Sequence, residues 1–475
     1  MNRKTLNSVG IDIGTTTTQV IFSRLTLVNR ASANQVARYE FVERELLYES
    51  PVSFTPIDAD DYVHPDQLRA FILEQYAAAG LSLSDVETGA IIITGETSKA
   101  HNAREAVLAL AEQLGDFVVA SAGPHLESVI AGRGSGAAEL ALREHSRVMN
   151  IDIGGGTSNF VVFEGGRVRD TACLNVGGRL IETDPAGRVT RIHEPARRVI
   201  LALFGQDLAA AQLDADHLRR ITACMADLLV QCLKGEPGEL ACHLLMTPAL
   251  QPLAVDKVLL SGGVGACYYR LQQEVMADAT YGDIGVLLAR ALLQHPGLSK
   301  LRVCRPRQTL RATVIGAGAY SVSLSGSTIW LSTDALPIRN IPVVHPLIDW
   351  QRDPPDIAAA VDEAAMRMDL DTARDQFAIA LDDAMPASYR AVQQAAQDLA
   401  RFYRRQGDPA RAALIVLHQD LGKVLGMELQ PLLPARPLAV IDEVVTQDGD
   451  YIDIGRAYFG GAIVPLTIKS LAFPT

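Results

Sequence analysis

Apolar residues in this chain fall into short unbroken runs separated by amphipathic stretches, and the arrangement starts twice. VGIDI (9–13) is apolar but for one aspartate, GTTT makes a turn, and TQVIFSRL resumes with β-branched residues. That pattern predicts two strands joined by a tight turn. A strand-like run at 38–47 follows, then helical apolar spacing over 66–79 closed by Gly80. GAIIIT (89–94) reads as a buried strand, 104–114 as a helix closed by Gly115, and 116–120 as a strand before a helix opening near Pro124. The pattern then restarts. Val148–Ile153 is a strand, GGGTS a turn, and NFVVFEGGRVRDTACL supplies two more strands. An Ala- and Leu-rich stretch near 194–248 reads as helical, DKVLLSGGVG as a strand entering a glycine turn, and ATVIGAGAYSVSL as a strand-to-helix step. Strand–turn–strand followed by alternating strands and helices thus occurs twice, about 140 residues apart. Two lobes of similar fold, 1–147 and 148–335, are expected, the second carrying the helical insertion. Beyond the proline-rich LPIRNIPVVHP, runs at 377–381, 413–420 and 437–444 alternate with helical stretches at 387–405 and 421–428. Residues 336–475 are therefore expected to form a small third α/β domain.

Composition narrows the partners. At 475 residues the chain is long enough for several cores, and 48% apolar with 21% charged residues suits a globular protein. A net charge of −12 disfavours nucleic acid or an anionic membrane as the main partner. The N-terminal MNRKTLNSVGIDIG has no apolar core of a signal peptide, and no stretch of 18 apolar residues exists. A cytoplasmic protein is expected. Six cysteines lie scattered without CxxC spacing, which predicts free thiols.

The tetrapeptide IDIG occurs three times, with its aspartate at 12, 152 and 453. A strand that ends in Asp and a glycine turn places a carboxylate beside backbone N–H groups that can cradle phosphate oxygens. A carboxylate beside phosphates demands an intervening cation, and hard oxygen ligands select Mg²⁺. Asp12-Ile13-Gly14-Thr15-Thr16 and Asp152-Ile153-Gly154-Gly155-Gly156-Thr157 fit that chemistry. The third copy continues with Arg456-Ala457-Tyr458, whose bulk would block backbone approach, so Asp453 is expected to sit in a hairpin strand. GRGSG (132–136) reads as a loop before a helix, and Gly422-Lys423 as a helix start. Lys99 reads as a surface lysine or a phosphate contact, and His125 as an ordinary loop or cap residue, with a ligand or hinge role as the alternative.

DIGTTTT, DIGGGT, LSGGVG and VIGAGA, in that order, resemble the phosphate-1, phosphate-2, adenosine and second connecting motifs of the actin/Hsp70/sugar-kinase ATPase superfamily. Within it the whole chain resembles the ethanolamine ammonia-lyase reactivating factors, through ITGETSK, DFVVASAGPHLESVIAG, ACLNVGGRLIETD, LSGSTIWL and LAVIDEV. The resemblance implies two actin-like, ribonuclease H-like lobes that bind ATP and Mg²⁺. Asp12, Gly14, Thr15 and Thr16 would hold the β- and γ-phosphates through the metal. Asp152 would position metal or attacking water, with Gly154, Gly155, Gly156 and Thr157 around the phosphates. Gly262, Gly263 and Val264 would line adenine and ribose, and Gly316 and Gly318 would permit hinge motion. The implied function is a slow, ATP-dependent chaperone that releases damaged cobalamin from ethanolamine ammonia-lyase, in the setting of the ethanolamine microcompartment. Hsp70-like chaperones carry a glutamate just before the proline of the first connecting helix; here that position is Gly123. A small-molecule kinase and a polymerising actin-like scaffold are the alternatives on the same fold, and oligomerisation stays open.

Overall fold

The run around VGIDI forms β1 (Arg3–Ile13) in the computed structural model, which describes residues 3–13, 17–29, 39–51, 53–56, 62–86, 88–94, 102, 117–306, 319–324, 329–332, 336–352, 354–381, 384–406, 408–455 and 465–470. β2 (Thr17–Asn29), β3 (Tyr39–Glu49) and β4 (Ser53–Phe54) precede helix α1 (Pro65–Ala78), and β5 (Thr88–Thr94) and β6 (Phe117–Ala122) follow it. The sheet order is β3-β2-β1-β5-β6, with β4 beside β2. β1, β2 and β3 form an antiparallel meander, and β5 and β6 run parallel to β1. Period-2 alternation puts Val9, Ile11 and Ile13 of β1 into one core with Ile91 and Ile93 of β5. Leu68, Ile72 and Tyr76 of α1, spaced at four, close that core.

A second sheet repeats this plan. Helices α2 (Pro124–Gly134) and α3 (Ala137–Glu144) lead into β7 (Arg147–Ile153), β8 (Ser158–Glu164) and β9 (Arg167–Leu174). The hairpin β10 (Ile181–Thr183) and β11 (Val189–Ile192) then leads to helices α4 (Glu194–Phe204), α5 (Ala215–Lys234) and α6 (Glu239–Leu244). Next come β12 (Lys257–Ser261), α7 (Gly262–Leu271), α8 (Gly285–Gln294) and β13 (Val303–Cys304). The order β13-β12-β7-β8-β9 is that of the first sheet, again with a three-strand antiparallel meander and two parallel strands. The helical reading of 194–248 corresponds to α4–α6. Asp214 caps α5 by accepting the backbone N–H groups of Asp216 and His217, both at 2.9 Å.

The remaining strands build an eight-stranded sheet. β14 (Ala319–Leu324), β15 (Trp330–Leu331) and β16 (Ile338–Val344) precede α9 (Ile357–Met366), β17 (Ala378–Leu381), α10 (Tyr389–Arg405), β18 (Ala413–Leu417), α11 (Gly422–Leu429), β19 (Leu438–Ile441), β20 (Asp450–Ile454) and β21 (Pro465–Ser470). Its order is β14-β21-β20-β16-β17-β18-β19-β15. β16–β19 are parallel with helical crossovers, and β17, β18 and β19 are buried along their whole length, as their continuous apolar runs require.

Contacts group the chain as Met1–Gly123 with Ala317–Phe473, and Pro124–Gly316. These boundaries differ from those read in the sequence. The restart at Val148 marks the second sheet, but α2 and α3 pack Val129, Ala137 and Ala141 onto Val148, Val161, Phe163 and Val168, so that unit opens at Pro124. The stretch 336–475 groups with the N-terminal sheet, and its own sheet recruits β14 and β15 from before Leu336. GRGSG is not a loop: Gly132–Gly134 end α2, and only Ser135 and Gly136 turn. Gly422 does begin a helix. All six cysteines are free. The helix read at 104–114, Lys99, and the site residues Gly14, Thr15, Thr16, Gly316 and Gly318 lie outside the described residues.

Candidate phosphate and metal site

Asp12 and Asp152 are each the penultimate residue of the central strand of their sheet. Each faces an amide residue across the meander, Gln19 for Asp12 and Asn159 for Asp152. Both stand at the carboxyl end of parallel strands, where open α/β sheets take their ligands.

Ser261, the neighbour of Asp152 on β12, donates its hydroxyl to Asp152 Oδ1 at 2.6 Å and accepts from Asn150 Nδ2 at 2.9 Å. Asn150 shares the strand face of Asp152, two residues back. Asn150 and Asn159 are buried, and the Oδ1 atom of each has no hydrogen-bond partner among the described residues. Burial pushes the Asp152 carboxyl above the usual carboxylate range, and the Ser261 hydrogen bond only partly opposes it. A carboxylate disfavoured by burial beside two orphaned amide oxygens is a donor set that a hard divalent cation fits. Among the described residues no three His, Cys, Asp or Glu side chains converge. A cation bound by Asp152 would therefore complete its shell with water and phosphate oxygens, as Mg²⁺ commonly does.

The turn after β7 lies beside this carboxylate. Gly154 N–H donates to Thr157 O at 2.9 Å, and Gly155 and Gly156 are exposed. The turn is buttressed from below by a second glycine pair. Gly178 N–H donates to Gly154 O at 2.9 Å and Arg179 N–H to Gly155 O at 2.7 Å. A Cβ on Gly177 would overlap the Gly155 carbonyl. The carbonyls of Gly154, Gly155 and Thr157 are thus taken, while the N–H groups of Gly155 and Gly156 have no backbone acceptor among the described residues.

Helix α7 begins at the same place. Its N-cap is Ser261, whose side chain makes no capping bond because Asp152 receives its hydroxyl. The first-turn N–H groups at Gly262 and Gly263 are left without that partner, at the positive end of a ten-residue helix suited to anions. Gly262 has φ +79°, and a Cβ there would overlap the Ile153 carbonyl. Gly262→Ala is expected to cost roughly 2–4 kcal/mol, from left-handed strain and overpacking together, which urea denaturation measures. Val264 is 3% exposed, and its Cγ2 fills the space beside Gly178 and Gly285. It packs beneath the helix start.

The structure brings together Asp152, Gly154–Thr157 and Gly262–Val264, and adds Asn150, Asn159, Ser261 and Gly177–Arg179, which sequence reading did not single out. Alternation along NID places Asn150 on the face of Asp152, so that signal was present. The contact of Gly177 with Gly155 leaves no local signal. The third IDIG copy lies in β20, opposite Thr467 of β21. Asp453 Oδ2 pairs with Lys469 Nζ at 2.7 Å, and Oδ1 accepts Asn340 N–H at 2.6 Å. His125 is a buried helix residue, its Nδ1 2.7 Å from Thr171 Oγ1.

Two sheets that share one five-strand order, each with an aspartate one residue before the end of its central strand, define an α/β protein of the two-lobed actin-like ATPase fold. A family model described as ethanolamine utilisation protein EutA matches residues 4–474, and the chain belongs to that family. It is 52% identical over 476 residues to the ethanolamine ammonia-lyase reactivase EutA of Salmonella typhimurium, covering 100% of both chains. It is 51% identical over 477 residues to the protein of the same name from Escherichia coli K12, again covering 100% of both. Among solved structures, the Aquifex aeolicus Ppx/GppA family member aligns at 13% identity and a TM-score of 0.38, over 66% of this chain and 97% of that one. EutJ from Carboxydothermus hydrogenoformans aligns at 16% identity and a TM-score of 0.32, over 66% and 89%. No described helix is long and apolar enough to cross a membrane.

Proposed function

We propose that this protein reactivates ethanolamine ammonia-lyase by an ATP-dependent exchange of the lyase's damaged cobalamin for intact adenosylcobalamin. Two relatives that match over their full length, both named reactivases of that enzyme, support the client. The observation that carries the nucleotide dependence is the Asp152–Ser261–Asn150 cluster beside the buttressed Gly154–Thr157 turn. Asp152, with Asn150 and Asn159, would hold Mg²⁺, the Gly155 and Gly156 N–H groups would bind phosphate oxygens, and the start of α7 would take the adenosine side. Asp12 with Gly14, Thr15 and Thr16 serves the β- and γ-phosphates from the first unit, and Gly316 and Gly318 serve the hinge. When bound, Mg²⁺ supplies charge neutralisation at the phosphates. The work on the lyase comes from two conformations of this chain that differ in client affinity. Moving such an equilibrium from 1:99 to 99:1 takes about 5.5 kcal/mol of differential binding. Residues 336–475 and helices α4–α6 are the candidate client surfaces, and the cytoplasm, with the ethanolamine microcompartment, is the setting.

The test loads ethanolamine ammonia-lyase with inactive cyanocobalamin and adds this protein, Mg²⁺ and free adenosylcobalamin. Lyase activity is expected to return with ATP and not without it. No recovery despite tight ATP binding would reject the client.

A further inference from the structure

β1, β5 and β6 run parallel, and their register aligns Asp12 with Ile92 and Ile92 with Ala120. Their carboxyl ends therefore form one edge of the first unit's sheet. That edge carries Asp12 at one end and Gly123, the residue after β6, at the other, with roughly 10 Å between the β1 and β6 backbones from two strand spacings. Gly123 has company. A Cβ built on it would lie 2.5 Å from Asp369 Cγ and 2.6 Å from Asp369 Oδ1. The carboxyl group of Asp369 thus lies against the Gly123 backbone, in space that any other residue at 123 would need for its side chain. Asp369 closes helix α9, its N–H bonded to Met366 O at 3.0 Å and its backbone left-handed at φ 54°. Glycine or asparagine is the usual choice at such a position. Aspartate tolerates that backbone, and its carboxylate lies against Gly123 at the sheet edge.

We infer that Asp369 is the carboxylate that orients the attacking water in ATP hydrolysis, delivered to the edge of β6 by the turn after α9. The inference rests on the ATP dependence proposed above. Hydrolysis needs a group for the water as well as a ligand for the metal. Asp12 and Asp369, set two strands apart on one edge, divide those roles. The water oxygen bonds to the γ-phosphorus, and the bond from that phosphorus to the bridging oxygen breaks with its electrons left on ADP. The water's proton passes to the Asp369 carboxylate and from there to solvent. Because Asp369 belongs to the C-terminal stretch, hydrolysis depends on how that stretch holds it.

The experiment measures steady-state ATPase and ATP affinity for the full chain, for Asp369→Asn and for Asp369→Gly. Both replacements suit a left-handed backbone, so both remove charge without new strain. Each is expected to lower kcat about 100-fold or more, with KM and ATP affinity unchanged, measured at a temperature where the variant is folded. Variants that hydrolyse ATP like the parent, or that lose ATP affinity in step with kcat, would overturn the role of Asp369 and leave the ATP reading intact. A parent protein with no ATPase, alone or with the lyase, would overturn both.

Discussion

Asp152→Asn is expected to lose every effect of MgATP while melting no lower than the parent. Asparagine keeps the shape of the side chain and an oxygen for the Ser261 hydroxyl, which donates to Asp152 at 2.6 Å. It removes a charge that burial disfavours. The sign follows from linkage. Between the ordinary carboxylate range and the raised folded value, the folded chain keeps a proton that the unfolded chain has released. Stability contributed by this group is therefore lost as pH rises through that window. Above it the ligand-free variant gains on the parent. The ligand-bound comparison goes the other way. At a nucleotide concentration one hundred times its dissociation constant, binding stabilises the folded state by about 2.7 kcal/mol. That increment is expected to vanish in the variant, and in Asp12→Ala. In the parent it should weaken as pH falls into the raised range, where a proton competes with the metal. Thermal unfolding with and without MgATP, across pH, measures all of this. An Asp152→Asn protein still protected by MgATP would remove the carboxylate from the site.

Asp453→Ala is expected to do the reverse. The side chain of Lys469 is 3% exposed and that of Asp453 15%, so the pair between β20 and β21 is nearly dry. Removing one member of such a pair leaves the other charge poorly compensated, and the loss is about 3–5 kcal/mol. The Asn340 N–H, on a residue at φ 55°, loses its acceptor as well. Urea denaturation should show the full cost. ATP affinity and lyase reactivation, measured at a temperature where the variant is folded, should match the parent. Lost nucleotide binding under those conditions would place the third IDIG copy at the site after all.

The three copies show what the sequence could tell. The residues after each aspartate differ, glycine and threonine after the first two and Arg456, Ala457 and Tyr458 after the third, and that difference alone set the expectation that only the first two take a ligand. The two repeated sheets were legible because their central strands are short apolar runs closed by glycine, a local signal. The grouping of 336–475 with the N-terminal sheet was not, because it depends on contacts between residues far apart in the chain, such as those of β14 with β3. GRGSG misled for a different reason. Glycine disfavours a helix interior, yet a Cβ on Gly132 would overlap the Val161 side chain, so close packing of α2 on β8 selects it. The cluster behind Asp152 was half visible. Ser261 and Asn150 stand inside the strand motifs, but only the β7–β12 register, Ser261 opposite Asp152, makes them partners.

That the first unit draws on both Met1–Gly123 and Ala317–Phe473 has a bearing on synthesis at the ribosome. Among the described residues the second unit is one continuous stretch and can close as soon as its last strand has emerged, as contiguous domains do. The first cannot. β21, at residues 465–470, lies between β14 and β20, so the eight-stranded sheet lacks an interior strand until nearly the whole chain has been made. A nascent chain that ends near Gly316 carries a finished Gly154–Thr157 turn, while the first unit still lacks its C-terminal strands.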